Sequence, residues 1–161
     1  MKIGIMSDSH DNVPMIRRAV ERLQKEGAEC LIHAGDFVAP FAVREILKFR
    51  GAVYGCFGNN DGEKAGIRKL WPEVADPPRM LTLGGRRILL IHDLDSLEAM
   101  PDEGRKADVV IFGHTHEPAL EPGRKAGSLR VNPGEAGGWL SGKPTVAMLD
   151  TDTLQAKILE L

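Results

Sequence analysis

Residues 109–118 read VVIFGHTHEP. Three aliphatic residues and Phe112 run into Gly113, two histidines follow two positions apart, and the chain turns at Pro118. A short apolar run bounded by turn residues is the pattern of a buried strand, and it predicts one over 108–112. The chain has five histidines and spends two of them, His114 and His116, at the mouth of that strand. Imidazoles there need hydrogen-bond partners or a metal. Side chains alternate along a strand, so an i, i+2 pair just past its end is expected to face one site.

The same device recurs outward along the chain. A strand at 2–6, KIGIM, runs into SDSHDN with Asp8 and His10. A strand at 30–34, CLIHA, leads to Gly35 and Asp36. A third at 52–57 ends in GNND, giving Asn59, Asn60 and Asp61, and a fourth at 86–92 ends on His92. Between them lie segments of helical period: 13–26, capped by Asn12 and stopped by Gly27, and another near 39–49. Residues 62–74 read as a short helix or an irregular connection, and Gly84-Gly85 as a tight hairpin between strands at 79–83 and 86–92. Helix is expected near 96–100, and further strands at 129–132, 145–149 and 154–161. Strands alternating with helices define an α/β chain, and 161 residues without repeat or linker suggest one domain over 1–161.

In open α/β sheets, ligands bind in the crevice at the carboxyl ends of the strands. Five strand ends therefore deliver Asp8, His10, Asp36, Asn59, His92, His114 and His116 toward a common place. Each alone has a plainer reading: Asp8 and Asn12 as turn and cap residues, GNND as a turn. Together they form a mixed oxygen and nitrogen donor set, suited to Mn²⁺, Fe²⁺, Ni²⁺, Co²⁺ or Zn²⁺. They exceed one tetrahedral ion and suit two ions sharing a carboxylate, the usual device for displacement at phosphorus. His33, in the middle of CLIHAGD, is read as a packing or supporting residue that steers Asp36 rather than as a ligand.

Composition narrows the classes. Hydrophobic residues make up 42% and charged residues 27%, a globular balance. A net charge of −2 and the lack of a basic run give no pull toward nucleic acid or an anionic membrane. No stretch approaches the roughly 18 apolar residues of a membrane span, and MKIGIMSD turns polar too early for a secretory leader. The reading is cytoplasmic, with Cys30 and Cys56 as small core hydrophobes.

Read in order, DSH at 8–10, GD at 35–36, GNND at 58–61, His92, GHTH at 113–116 and NPG at 132–134 resemble the calcineurin-like metallophosphoesterases, in their small single-domain phosphodiesterase branch. The resemblance implies a four-layer αββα sandwich of two mixed sheets flanked by helices. It implies one ion on Asp8, His10 and His116, a second on Asn59, His92 and His114, and Asp36 bridging them. Manganese comes first among the candidate metals. The implied reaction is hydrolysis of a small phosphodiester by water activated between the ions. The branch's dimers and larger assemblies extend the expectation to a homo-oligomer.

Three departures from the family pattern bear on chemistry. Asn60 stands where many members have a histidine that protonates the leaving group. Asn60 itself, Asp61 and Asp11 are the candidates for leaving-group or substrate contacts. HDLD at 92–95 places Asp93 and Asp95 where the family commonly continues HGH, which disfavours dianionic monoesters relative to monoanionic diesters. Glu135 follows NPG where serine is usual. Two rival functions remain: a non-catalytic, metal-binding scaffold resembling the retromer subunit of this fold, and a nuclease. The complete ligand set speaks against the first. Eight aromatics and no basic stripe speak against the second.

Overall fold

Along the first strand Ile3 and Ile5 turn one way and Gly4 and Met6 the other, and all four are buried. A strand covered on both faces needs a layer on each side, and the rest of the chain supplies them. The computed structural model describes residues 1–98, 106–123 and 125–161. Its elements are β1 (Lys2–Met6), α1 (Val13–Lys25), β2 (Cys30–His33), α2 (Pro40–Ile46), β3 (Ala52–Cys56), α3 (Lys64–Leu70), β4 (Val74–Ala75), β5 (Arg79–Leu83), β6 (Arg86–Leu90), α4 (Asp95–Glu98), β7 (Val109–Ile111), β8 (Ala119–Pro122), β9 (Leu129–Asn132), β10 (Thr145–Asp150) and β11 (Gln155–Glu160).

Two mixed sheets result. One runs β11-β10-β1-β2-β3-β4 and the other β5-β6-β7-β9-β8. In the first, β1, β2, β3 and β4 are parallel and β10 joins β1 antiparallel; in the second, β6, β7 and β9 are parallel. Ile3, Ile5, Cys30 and Ile32 of the first sheet meet Ile88, Leu90, Val109, Ile111 and Val131 of the second in a continuous apolar layer. On the far side of the first sheet, Ile16, Val20 and Leu23 of α1, Val43 and Ile46 of α2 and Ile67 of α3 pack against Met6, Leu31 and Val53. The outer face of the second sheet carries Leu89, Ile91, Val110 and Phe112. Three helices on one face of the first sheet and two mixed sheets packed together give the expected α/β sandwich.

Most expected elements lie within a residue or two of their observed bounds. Asn12 caps α1, its Oδ1 accepting the Met15 N–H at 3.4 Å. Gly84 and Gly85, at φ of 55° and 73°, make the two-residue turn between β5 and β6. The helix expected near 39–49 ends at Ile46, because the N–H groups of Lys48 and Phe49 bond three residues back to Glu45 and Ile46 and tighten the last turn out of α-geometry. Two edge strands, β4 and β8, escaped the sequence reading: β4 has two residues, and β8 is largely exposed, so neither carries an apolar rhythm. Helix α4 covers 95–98, while residues 99–100 of the expected helix lie outside the described residues.

Candidate metal centre

The parallel strands β1, β2 and β3 of one sheet and β6 and β7 of the other end at the same edge of the sandwich, and their exits are stitched together. The Asp8 N–H donates to the Gly35 carbonyl at 3.0 Å, and the His10 N–H to the Asp36 carbonyl at 3.0 Å. Across the sheets, His92 Nδ1 lies 2.8 Å from the Ala34 carbonyl, and the His114 N–H reaches Asp8 Oδ2 at 3.1 Å. Two glycines make the approach possible. A Cβ on Gly58 would stand 2.1 Å from Asp36 Oδ1, and one on Gly113 would stand 2.0 Å from Ser7 Oγ.

All seven side chains singled out in the sequence converge here. At one end Asp8 Oδ1 lies 3.5 Å from His116 Nε2 and 3.9 Å from His10 Nε2, and the His10 and His116 rings are 5.2 Å apart. At the other end Asn59 Oδ1 lies 2.9 Å from His92 Nε2 and 3.0 Å from His114 Nδ1, with the two rings again 5.2 Å apart. Between the ends, Asp36 Oδ2 is 3.4 Å from His92 Nε2 and 3.7 Å from His10 Nε2.

The histidine pair of the opening motif therefore splits, one ring to each end. The pleat argument does not explain this. Asp8, His10, Asp36, His114 and His116 all have positive φ, between 41° and 68°. They stand past the strands in left-handed backbone, where the two-residue alternation no longer applies. Non-glycine residues rarely adopt this region, and such conformations cluster at functional sites.

The donor set fits divalent cations. Asp8 Oδ1 and His10 Nε2 are buried without a hydrogen-bond partner. His92, with its Nδ1 proton on Ala34, turns the Nε2 lone pair toward the oxygens of Asn59 and Asp36. Acceptors aimed at one another call for a positive charge between them. The electrostatics agree. Burial acts to raise the Asp36 carboxyl pKa, but the adjacent His92 ring, when protonated, and the two hydrogen bonds from Asn60 outweigh it and hold the group well below the usual range. Burial raises that of Asp8, against Ser7 and the nearby imidazoles.

The remaining candidates hold the centre from behind. Asn60 donates its backbone N–H to Asp36 Oδ1 at 2.8 Å and its side-chain N–H to Oδ2 at 2.7 Å. Asp61, 4% exposed, accepts the N–H groups of Val38 at 2.7 Å, Gly58 at 2.7 Å and Asp36 at 3.0 Å, which braces the two loops together. Asp11 accepts the Ala39 N–H at 3.0 Å. His33 is fully buried and does not bond the Asp36 carboxylate. Its Nδ1 accepts the Gly35 N–H at 3.2 Å, which leaves the proton on Nε2 for Ser9 Oγ at 2.9 Å. Burial pushes its pKa down to about 3.

Two supporting residues were not assigned from sequence. Asn132 donates to the Gly113 carbonyl and to Thr115 Oγ1, each at 3.0 Å, and so fixes the GHTH loop. Its signal was the NPG motif at the end of β9. Glu135, fully buried, places Oε1 3.4 Å from His116 Nδ1 and accepts the N–H groups of Trp139, Leu140 and Ser141. Those amides outweigh its burial and keep its pKa below the ordinary glutamate value.

Beside the Asn59 end opens a recess of about 270 Å³, with Phe57, Lys64, Pro77, Asp93 and Ser96 in its lining next to Asn59, His92 and His114. Among the described residues no helix is long and apolar enough to cross a membrane.

Known proteins resemble this chain along nearly its whole length. The family model of the calcineurin-like phosphoesterase superfamily domain matches residues 1–154. Phosphodiesterase MJ0936 of Methanocaldococcus jannaschii is 37% identical over 158 residues, covering 94% of each chain. Phosphodiesterase YfcE of Escherichia coli is 30% identical over 169 residues, covering 96% of this chain and 90% of that one. A solved archaeal phosphodiesterase superposes with a TM-score of 0.88 at 36% identity over 100% of both chains. Vps29 of Entamoeba histolytica, solved with zinc, has a TM-score of 0.72 at 17% identity over 100% of this chain and 98% of that one, a likeness of fold. The chain belongs to the calcineurin-like phosphoesterase superfamily.

Proposed function

We propose that this protein is a metal-dependent phosphodiesterase whose centre takes two divalent ions, one on Asp8, His10 and His116, the other on Asn59, His92 and His114, with Asp36 shared. The observation that carries the reading is the place of Asp36: one oxygen, Oδ2, lies within 3.7 Å of His10 Nε2 and 3.4 Å of His92 Nε2, so a single carboxylate faces both ends. Such ions, when bound, neutralise phosphate oxygens and acidify water.

The chain's own residues do the rest. Asp36 sets the spacing of the two ends, and Asn60 holds both of its oxygens in place. Asn59 is a neutral ligand, so Asp8 and Asp36 are the only carboxylates in the set and the loaded centre stays net positive for an anionic substrate. Both oxygens of Asp61 accept backbone N–H groups and Asp11 Oδ1 accepts that of Ala39, so their part is to position loops, and Asn60 has no acidic proton to give. General-acid help, worth about 10²–10⁴ in rate, is thus missing from these side chains, and good leaving groups are favoured. Asp93 lines the recess beside Asn59 and repels a dianion more than a monoanion, which favours diesters over monoesters.

The reading extends to manganese first among Mn²⁺, Ni²⁺, Fe²⁺, Co²⁺ and Zn²⁺, to a cytoplasmic setting suited to the free, buried Cys30 and Cys56, and to a homo-oligomer. The test is hydrolysis of bis(p-nitrophenyl) phosphate and p-nitrophenyl phosphate by metal-stripped protein, with each ion added back. Turnover that returns with metal, prefers the diester, and disappears in Asp36→Ala and His114→Ala supports the reading. Metal uptake without turnover of either ester overturns it in favour of a scaffold.

A further inference from the structure

The chain has two tryptophans, and they are used in opposite ways. Trp71 is buried and donates its indole N–H to the Val53 carbonyl at 2.9 Å. Trp139 leaves 64% of its surface in solvent. An exposed indole on a loop is commonly loose, yet this one is tied at both ends. Its ring N–H donates to the His10 carbonyl at 3.1 Å, and its backbone N–H to Glu135 Oε1 at 2.8 Å. Glu135 also takes the N–H groups of Leu140 and Ser141, at 3.1 Å and 2.8 Å, so the whole 139–141 turn hangs on one buried carboxylate. That carboxylate faces His116, and the carbonyl under the indole belongs to the residue whose Nε2 faces Asp8 and Asp36. The large apolar ring is thereby registered to the His10 and His116 end of the centre.

We propose that Trp139 is a specificity-determining platform on which an aromatic ester arm of the phosphodiester stacks, so that the favoured substrates carry an aryl or nucleobase ring. This rests on the phosphodiesterase reading. A flat π-face accepts any aromatic ring and asks for no particular hydrogen-bond pattern. Fixing the indole to a residue of the centre gives the arm a fixed distance from phosphorus, a registration that a surface patch for a partner protein does not need. The recess beside Asn59 leaves room for the second arm on the opposite side.

The test uses metal-loaded protein and two monoanionic diester analogues, phenyl methylphosphonate and methyl methylphosphonate, as competitors of bis(p-nitrophenyl) phosphate turnover. Binding is read independently from Trp emission. The phenyl analogue should bind about tenfold more tightly and quench the emission, since base–aromatic stacking is of that size. Trp139→Ala should bring the two analogues within about twofold of each other, and Trp139→Phe should keep most of the preference. Equal weakening of both analogues in Trp139→Ala, or a phenyl preference that survives it, overturns the platform. A change of assembly mass in Trp139→Ala also overturns it, because Trp139 and the exposed Leu140 would then belong to a contact between copies. If wild-type protein turns over no diester, the underlying reading fails and the platform with it; turnover without a phenyl preference removes the platform alone.

Discussion

His92 bonds through Nδ1 to the carbonyl of Ala34, 2.8 Å away on the other sheet, and keeps Nε2 turned toward Asp36 and Asn59. A single imidazole thus joins β6 to the exit of β2 and presents a lone pair to the centre. Its tautomer is set by the fold before any ion arrives.

His92→Ala should therefore remove more than one donor. We expect metal stoichiometry to fall from two ions per chain to one, and kcat/KM to drop by at least about 10²-fold, the upper range for losing a residue that orients a metal site. Metal analysis after gel filtration, alongside diester hydrolysis, checks both.

Gly58→Ala tests the close approach behind Asp36. The added Cβ would stand 2.1 Å from Asp36 Oδ1 and 2.6 Å from the Asp36 backbone nitrogen, so that loop must move. Overpacking of this kind costs about 1–3 kcal/mol, and moving the shared carboxylate should depress turnover at saturating substrate far more than KM. Steady-state kinetics with a thermal melt separates the two effects. A variant with unchanged kcat would show that Asp36 need not stay where it is.

Glu135→Gln keeps the size of the side chain and removes its charge. The three N–H groups of residues 139–141 would share a weaker acceptor, and His116 would lose the anion 3.4 Å from its Nδ1. We expect Tm to fall and metal affinity to weaken by about 10–100-fold, as for other groups that support a liganding histidine. Calorimetric titration of the metal-free variant measures this directly.

His33 gives a pH signature. Its folded-state pKa, about 3, lies below the unfolded value of 6.5. Between those limits the unfolded chain holds one more proton than the folded one, so stability rises with pH and is lost as pH falls from 6.5 toward 3. One proton corresponds to about 1.4 kcal/mol per pH unit. For metal-free protein, His33→Gln should flatten the dependence of unfolding free energy on pH by about that slope. Equal slopes in the two proteins would mean that His33 is charged when folded.

Much of this molecule was legible in its sequence, because strands buried on both faces leave long apolar runs and a polar residue at the end of such a run stands out. Asp8, His10, Asp36, Asn59, His92, His114 and His116 were singled out that way, and the fold brings them together. The rest was hidden for identifiable reasons. The two-residue β4 and the exposed β8 depend on neighbours that lie far away in sequence. Asp61 and Glu135 look like ordinary loop acids until the amides they gather are brought from other segments. The split of His114 and His116 between the two ends was expected only through the family resemblance, because it is a matter of backbone sign, which no side-chain pattern encodes.

That backbone sign has a consequence for how the protein can change. At His10, His114 and His116 the side chain supplies a donor to the proposed centre while its Cβ disfavours the local conformation, by about 1–3 kcal/mol at each position. Glycine at any of the three would relax the chain and give up a donor. Selection for thermal tolerance alone would therefore favour an inert, sturdier protein.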